Sequence, residues 1–239
     1  MTNYPPQFNG NTYGSQSVVY TTTSVSSVMK QVYVRMTLAL LVTAFVSLFC
    51  ANSSGYLNFL ANNSWSMWGL VIVELGLVIG ISAGINKLSS ATATVLFFLF
   101  AVVNGMMLAP IFLVYTKVSI AKTFFITAGT FGAMSVYGFF TSRDLSRIGS
   151  FLFMALIGVI IASIVNIFMK SSGLEWAITF AGVLIFVGLT AWDTQQIKRM
   201  AQEAPSSTVG RLATLGALSL YLDFINMFLY LLRIFGDRD

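Results

Sequence analysis

The chain has 239 residues, of which 56% are hydrophobic and only 9% are charged, and its mean hydropathy is +0.82. Soluble domains carry about 25% charged residues, so this composition excludes an ordinary soluble protein and indicates several membrane-spanning segments. The formal net charge is +5, but the lysines and arginines stand singly between apolar runs, so we expect no nucleic-acid partner. With no histidine and a single cysteine, imidazole catalysis and a disulfide or cysteine metal cluster within one chain are excluded.

The amino-terminal stretch differs from the rest of the chain. Residues 1–28 are rich in threonine, serine and asparagine and carry no charge, which is typical of a disordered tail. The start is not basic and no apolar core follows it closely, so we expect no signal peptide. The sequence therefore predicts a disordered tail over residues 1–29 and a transmembrane domain over residues 30–239.

Seven apolar segments follow the tail. Each has about 18 to 23 residues, enough to cross a hydrocarbon core about 30 Å thick. They cover residues 30–51, 67–86, 94–116, 123–141, 151–168, 177–198 and 219–236. Pro110 in the third segment predicts an interrupted ladder of backbone hydrogen bonds there. We therefore expect an all-α membrane protein with seven transmembrane helices.

Loop charges predict the orientation. If the amino terminus is cytoplasmic and all segments cross, eight basic residues lie inside and five outside, in agreement with the positive-inside rule. A re-entrant last segment would change this to ten and three, which the charges slightly prefer. That segment, however, has no glycine or proline in its middle on which to turn. The prediction is seven crossings with a cytoplasmic amino terminus.

The last segment, SLYLDFINMFLYLLRIFG, carries an aspartate, Asp223. A charge at the bilayer centre costs at least about 2.5 to 3.5 kcal/mol, so such a group normally faces a bundle interior or a water-filled cavity. Helical spacing puts Ser219, Asn226 and Tyr230 on the same stripe as Asp223. The preceding segment also carries one acid, Asp193. These two aspartates on neighbouring helices predict a carboxylate pair.

Two carboxylates in contact would have to share a proton. At about 4 Å and an effective dielectric near 20, their repulsion is about 4 kcal/mol, so we expect the pair to titrate as a unit. When ionised, it offers oxygen ligands to a hard cation such as calcium. Glu74, in the second segment, either lines the same path or hydrogen-bonds to Asn104. The alternative is that each acid pairs with a basic residue to fix helix register, and Asp193 is five residues from Lys198.

Four passages, AWDTQQIKRM, ALSLYLDFINMFLYLLRIFG, VNGMMLAPIF and SVYGFFTSRDLS, resemble the Bax inhibitor (transmembrane Bax inhibitor motif) family, over roughly residues 30–236. The resemblance implies a central seventh helix surrounded by the other six, and a calcium leak gated by protonation of an aspartate pair. Asp193 and Asp223 match that pair, and Glu74 matches an acid of the second helix. Bacterial relatives can carry an arginine near the end of that helix, so Lys87 and Arg143 are candidate counter-ions here.

The expected function is therefore a pH-sensitive calcium leak in a bacterial inner membrane, with calcium bound transiently at Asp193 and Asp223 and no resident cofactor. We expect no enzyme activity. The partners are the lipid bilayer and calcium. One alternative is a regulatory membrane protein that binds another membrane complex, such as a quality-control protease. A remote alternative is an intramembrane aspartyl protease, but the families with that activity have Gly-x-Gly before the second aspartate, and here that run is Leu220-Tyr221-Leu222.

Overall fold

A computed structural model describes residues 25–238, apart from the side chain of Ser64. This part of the chain is helical, and its only β-type pairing is an isolated bridge between Tyr115 and Arg238. The helices are α1 (Val25–Ala51), α2 (Ser54–Asn62), α3 (Ser64–Gly84), α4 (Ser90–Leu108), α5 (Ile111–Val114), α6 (Lys117–Phe140), α7 (Ser146–Met169), α8 (Ser172–Glu203) and α9 (Val209–Phe235).

Seven spans within the described residues are long and apolar enough to cross a membrane. They correspond to α1, α3, α4 with α5, α6, α7, α8 and α9. This confirms the prediction of an all-α membrane protein with seven transmembrane helices. Most of the predicted tail lies outside the described residues, while residues 25–29 already belong to α1.

Local sequence determines where several helices begin and break. Side-chain hydroxyls of Ser89, Thr116 and Ser171 accept hydrogen bonds from backbone N–H groups in the first turns of α4, α6 and α8, which replaces part of the bonding missing at a helix start. Pro110 lies between α4 and α5, where the N–H of Ala109 reaches back only to the carbonyl of Met106. The predicted interruption is therefore at Pro110, because proline has no N–H to donate.

The last helix is longer than its apolar core. α9 begins at Val209, ten residues before the predicted start of the seventh segment, and runs without a break for 27 residues. At 1.5 Å per residue it is about 40 Å long. An unbroken helix of this length leaves no place within it for the turn of a re-entrant hairpin.

α9 is also the most buried of the seven spans. In its most apolar 18-residue window, 67% of the residues are buried, compared with 6% for α3 and for α7. α9 packs against α1, α4, α6 and α8, and less extensively against α3, whereas α7 packs mainly on α8. A seventh helix fully surrounded by the other six stays a prediction.

Close helix packing positions the inward faces. A side chain on Gly138 of α6 would overlap the carbonyl oxygen of Ala191 in α8, and one on Gly105 of α4 would overlap the backbone carbonyl of Thr43 in α1. Glycine at these two places lets the backbones approach, as is common between transmembrane helices. The contact with α6 therefore holds α8 in place at Ala191, which is two residues before Asp193.

The segment after Asp193 holds the connection between α6 and α7. Gln195, which is buried, accepts a hydrogen bond from the N–H of Leu145 at 2.9 Å and donates one to the carbonyl of Arg143 at 2.8 Å. One side chain thus satisfies both a backbone donor and a backbone acceptor of this loop. The motif AWDTQQIKRM therefore combines the acid Asp193 with a structural amide.

Candidate functional site

A cavity of about 790 Å³ lies among α3, α4, α7, α8 and α9. Most of its wall is apolar. Its polar and acidic lining consists of Glu74, Asn104, Asp193, Gln196, Ser219, Asp223, Asn226 and Tyr230. The described residues that line it include no lysine and no arginine. Seven positions singled out in the sequence thus meet around one space, and Gln196 is the one polar member that sequence reasoning missed.

Asp193 and Asp223 are joined across the α8–α9 interface. Asp223 lies at the middle of α9 and is 4% exposed, whereas Asp193 is half-buried. The two carboxyl groups are close enough to interact directly. Since two carboxylates can only accept, a hydrogen bond between them needs one shared proton. Among the described groups other than Asp193, no donor reaches Oδ2 of Asp223, which is buried.

The hairpin of α8 and α9 places the two acids at similar depths. Asp193 precedes the end of α8 at Glu203 by ten residues, and Asp223 follows the start of α9 at Val209 by fourteen residues. At 1.5 Å per residue these distances are about 15 Å and about 21 Å from the hairpin end. A modest tilt between the helices brings the carboxyls level.

The polar stripe on α9 forms part of the cavity wall on both sides of Asp223. Ser219, Asn226 and Tyr230 line the cavity with Asp223. The side-chain amide of Asn226 donates to the carbonyl of Leu222 at 2.8 Å, so its carbonyl oxygen remains available to the cavity. The ring of Tyr230 stacks on Phe186 with centroids 6.0 Å apart. The wall thus offers neutral oxygen groups next to the carboxyl pair.

Glu74 approaches the cavity from α3 and begins a chain of hydrogen bonds. The amide nitrogen of Asn104 donates to Glu74, and the Tyr221 hydroxyl donates to the amide oxygen of Asn104 at 3.0 Å. The hydroxyls of Tyr221 and Thr43 are 2.6 Å apart. Glu74 therefore lines the cavity and also bonds to Asn104. Sequence reasoning missed the role of Tyr221. The signal for it is a tyrosine among apolar residues, because a buried tyrosine hydroxyl usually has a hydrogen-bond partner.

The candidate counter-ions lie elsewhere. Lys87 and Arg143 are exposed and neither lines the cavity. The one ion pair within residues 25–238 joins Arg199 and Asp144 at 2.8 Å. The structure therefore brings neither predicted counter-ion to the aspartate pair.

Lys198 does not neutralise Asp193. Its ammonium donates to the carbonyl of Phe139 at 2.6 Å and lies 4.9 Å from the centroid of the Phe139 ring. It therefore stabilises the end of α6, where free helix carbonyls attract cations. This arrangement argues against an ion pair with Lys198 as the reason for Asp193.

The described residues contain no group of three or more acidic, cysteine or histidine side chains able to hold a metal ion. A calcium ion at the pair would have two carboxylates and otherwise neutral oxygens or water. Calcium accepts such mixed and irregular ligand sets.

A family model described as "Inhibitor of apoptosis-promoting Bax1" matches residues 25–239 of the chain. The chain belongs to the Bax inhibitor family. This confirms the resemblance that the four sequence passages indicated. The protein is an integral, multi-pass membrane protein, as its seven apolar helices require.

This Bax inhibitor family member has close bacterial relatives. It is 51% identical to the inner membrane protein YbhL of Escherichia coli strain K12 over 227 residues, which are 94% of this chain and 97% of YbhL. It is 45% identical over 212 residues to an uncharacterized protein of Borreliella burgdorferi, covering 88% of this chain and 91% of that protein. It is 44% identical over 211 residues to RP147 of Rickettsia prowazekii, covering 88% and 89%.

Proposed function

We propose that the protein is a pH-sensitive calcium leak, gated by the proton that Asp193 and Asp223 share. The observation that carries the proposal is the close approach of these two carboxyl groups at the wall of a cavity. The described cavity lining has acids and neutral oxygens but no basic side chain. Such a lining favours cations over anions, because a single sign of charge in a low-dielectric space concentrates the opposite sign.

The shared proton joins α8 to α9 in the closed state. When it is lost, two carboxylates about 4 Å apart repel by about 4 kcal/mol at an effective dielectric near 20. This repulsion separates the helices and exposes carboxylate oxygens to the cavity. The contribution of the proton to closure is present at acidic pH and lost as the pH rises, so flux is expected to increase with pH. Glu74 is the third acid facing this space, and its charge adds to the attraction for a divalent cation.

We further propose that the protein lies in a bacterial inner membrane with its amino terminus in the cytoplasm, and that it is not an enzyme. YbhL is named an inner membrane protein. The loop charges favour this orientation, which puts Asp193 toward the cytoplasmic end of α8. The cytoplasmic pH would then act on the pair directly.

Calcium flux into proteoliposomes tests the proposal. We expect flux through the original protein to rise from about pH 5 to about pH 8.5, a range in which no histidine can titrate because the chain has none. Asp223→Asn keeps the side-chain volume but removes the charge. It is expected to abolish flux or to reduce its calcium selectivity.

No calcium flux through the original protein at any pH would overturn the leak. The alternative of a regulatory protein that binds a membrane complex predicts that outcome. If Asp223→Asn folds and transports calcium with unchanged selectivity, Asp223 does not line the path. Reconstituted protein must therefore be shown folded by its thermal unfolding curve before flux is compared.

A further inference from the structure

Tyr221 is the buried polar group that the proposed gate does not use. It lies two residues before Asp223 on α9, is 0% exposed and does not line the cavity. Its ring packs against the edges of Phe97 and Phe100, with centroids 5.8 Å and 5.4 Å away. Packing fixes the ring, so the direction of its hydroxyl depends on hydrogen bonds alone.

The hydrogen bonds around Tyr221 form one line across four helices. From α1, Thr43 contacts the Tyr221 hydroxyl at 2.6 Å and the carbonyl oxygen of Ala101 at 2.9 Å. The Tyr221 hydroxyl is 3.0 Å from the amide oxygen of Asn104 in α4. The amide nitrogen of Asn104 then meets Glu74 in α3. Thr43, Asn104 and Tyr221 are all buried.

Counting protons gives this line a direction. Thr43 and Tyr221 carry one hydroxyl proton each, but they make three contacts between them. Oxygens 2.6 Å apart need a proton between them, and the amide oxygen of Asn104 can only accept. If Thr43 donates to Tyr221 and Tyr221 donates to Asn104, both needs are met. The carbonyl oxygen of Ala101 then receives no proton from Thr43. This costs little free energy, because the carbonyl lies within α4 and accepts the backbone hydrogen bond of the helix.

The Asn104 amide connects Tyr221 to Glu74. With its oxygen held by Tyr221, its nitrogen must point to Glu74, and an ionised carboxylate is the acceptor that suits an N–H donor. Hydrogen bonds in a chain polarise one another, so the bond from Tyr221 to Asn104 strengthens the bond from Asn104 to Glu74. The free oxygen of Glu74 is thereby held at the cavity.

We propose that Tyr221 is a positioning residue that acts through Asn104 to hold the ionised Glu74 carboxylate at the cavity as a selectivity-determining group. The inference rests on the proposed calcium leak for its functional consequence, but not for its geometry. Groups that orient a cation ligand typically change metal affinity about 10- to 100-fold when they are removed. Tyr221→Phe keeps the ring between Phe97 and Phe100 and removes only the donor.

Infrared difference spectroscopy reads the Glu74 carboxylate directly, without any flux. Subtracting the spectrum of Glu74→Gln from that of the original protein isolates the band of this group. In Tyr221→Phe we expect the antisymmetric carboxylate stretch to move to higher wavenumber, because the hydrogen bond from Asn104 weakens. Tyr56→Phe is the matched control: its hydroxyl also donates to α4, at the carbonyl of Met106 at 2.8 Å, and its loss should leave the band in place.

Two further variants separate positioning from packing. Thr43→Val is nearly isosteric and leaves the bond from Tyr221 to Asn104, so it should shift the band less than Tyr221→Phe does. If the contact between Thr43 in α1 and Tyr221 in α9 serves only packing, Thr43→Val and Tyr221→Phe should shift the band equally. If Tyr221→Phe does not fold, a tyrosine with a ring fluorine at position 221 keeps the shape and donates more strongly. It should shift the band to lower wavenumber.

Flux provides the second measurement. Tyr221→Phe is expected to lower the ratio of calcium to sodium flux about tenfold, while Tyr56→Phe keeps it. If the original protein passes no calcium, the leak fails, but the infrared band still tests the link between Tyr221 and Glu74. An unchanged band in Tyr221→Phe overturns the inference, as does a protonated-acid band for Glu74 in the original protein from about pH 5 to about pH 8.5.

Discussion

At the scale of single residues, Asp144 and the cavity acids differ in what surrounds them. Asp144 lies in the loop before α7, with its side chain 67% exposed. The N–H of Ser146 donates to it at 2.9 Å, and Arg199 pairs with it at 2.8 Å. These contacts, led by the hydrogen bonds from Ser146, lower the pKa of Asp144 from 3.8 to about 2. The folded state therefore favours the ionised form.

The sign of this shift makes Asp144 a control for the gate. Its stabilising contribution is present above the ordinary pKa and lost as the pH falls toward about 2, and exposure keeps it small. Asp144→Asn should therefore leave the pH profile of calcium flux between about pH 5 and about pH 8.5 unchanged. Asp193→Asn, measured in the same vesicles, should remove the profile. If calcium flux loses its pH dependence in Asp144→Asn, the pH-sensing group is Asp144 in the loop and not the aspartate pair in the cavity.

At the scale of helices, the contact between α6 and α8 depends on one glycine. A methyl group at Gly138 would overlap the backbone of Ala191, which cannot move without shifting α8. Gly138→Ala is therefore expected to destabilise the protein by about 1 to 3 kcal/mol. Gly132→Ala, on the same helix, has no atom within 4 Å of the new carbon and should be neutral or stabilising by up to about 1 kcal/mol.

Thermal unfolding in detergent compares these two variants. The difference between them isolates the helix contact from helix propensity, since both replace glycine by alanine within α6. Equal unfolding temperatures would mean that α6 and α8 do not approach at Gly138.

The proposed gate belongs to the helix scale, because its opening would separate α8 from α9. Spin labels at Phe180 and Arg233, both exposed, would report this separation near the Gly182–Tyr230 contact of the two helices. Cys50, the single cysteine, would first be replaced by serine. We expect the distance to grow from about pH 5 to about pH 8.5 as the shared proton leaves.

Asp193→Asn decides whether the shared proton causes that movement. An amide in place of one carboxylate removes the repulsion, so the distance should no longer change with pH. A pH-dependent separation that persists in Asp193→Asn would contradict the shared-proton gate, and so would a constant distance in the original protein.

At the scale of the whole molecule, seven crossings place the two termini on opposite faces of the membrane. We expect a tag at each end to differ in protease access in sealed vesicles of one orientation, because the chain crosses the bilayer an odd number of times. The unbroken α9 supports this expectation. Digestion of both tags from one side would mean that one of the seven spans does not cross.

The sequence by itself determined the class, the number of spans and the residues that share a face of one helix. Hydropathy finds apolar segments because each must match the hydrocarbon thickness, and proline breaks a helix wherever it occurs within one, as at Pro110. The period of the helix likewise puts Ser219, Asp223 and Asn226 on one stripe. These properties depend on the composition of a segment or on spacing along it.

The tertiary structure decided which stripes face one another and where the helices end. The bond of Asn104 to Tyr221 joins residues 117 positions apart, and no pattern within either helix encodes it. The same packing leaves Lys87 and Arg143 exposed, although the family resemblance made them candidate counter-ions. α9 begins at Val209 because helical hydrogen bonding continues past the apolar core, where hydropathy carries no signal. Contacts between helices depend on how well their whole surfaces fit together. This fit cannot be predicted from the residue pattern of any single helix.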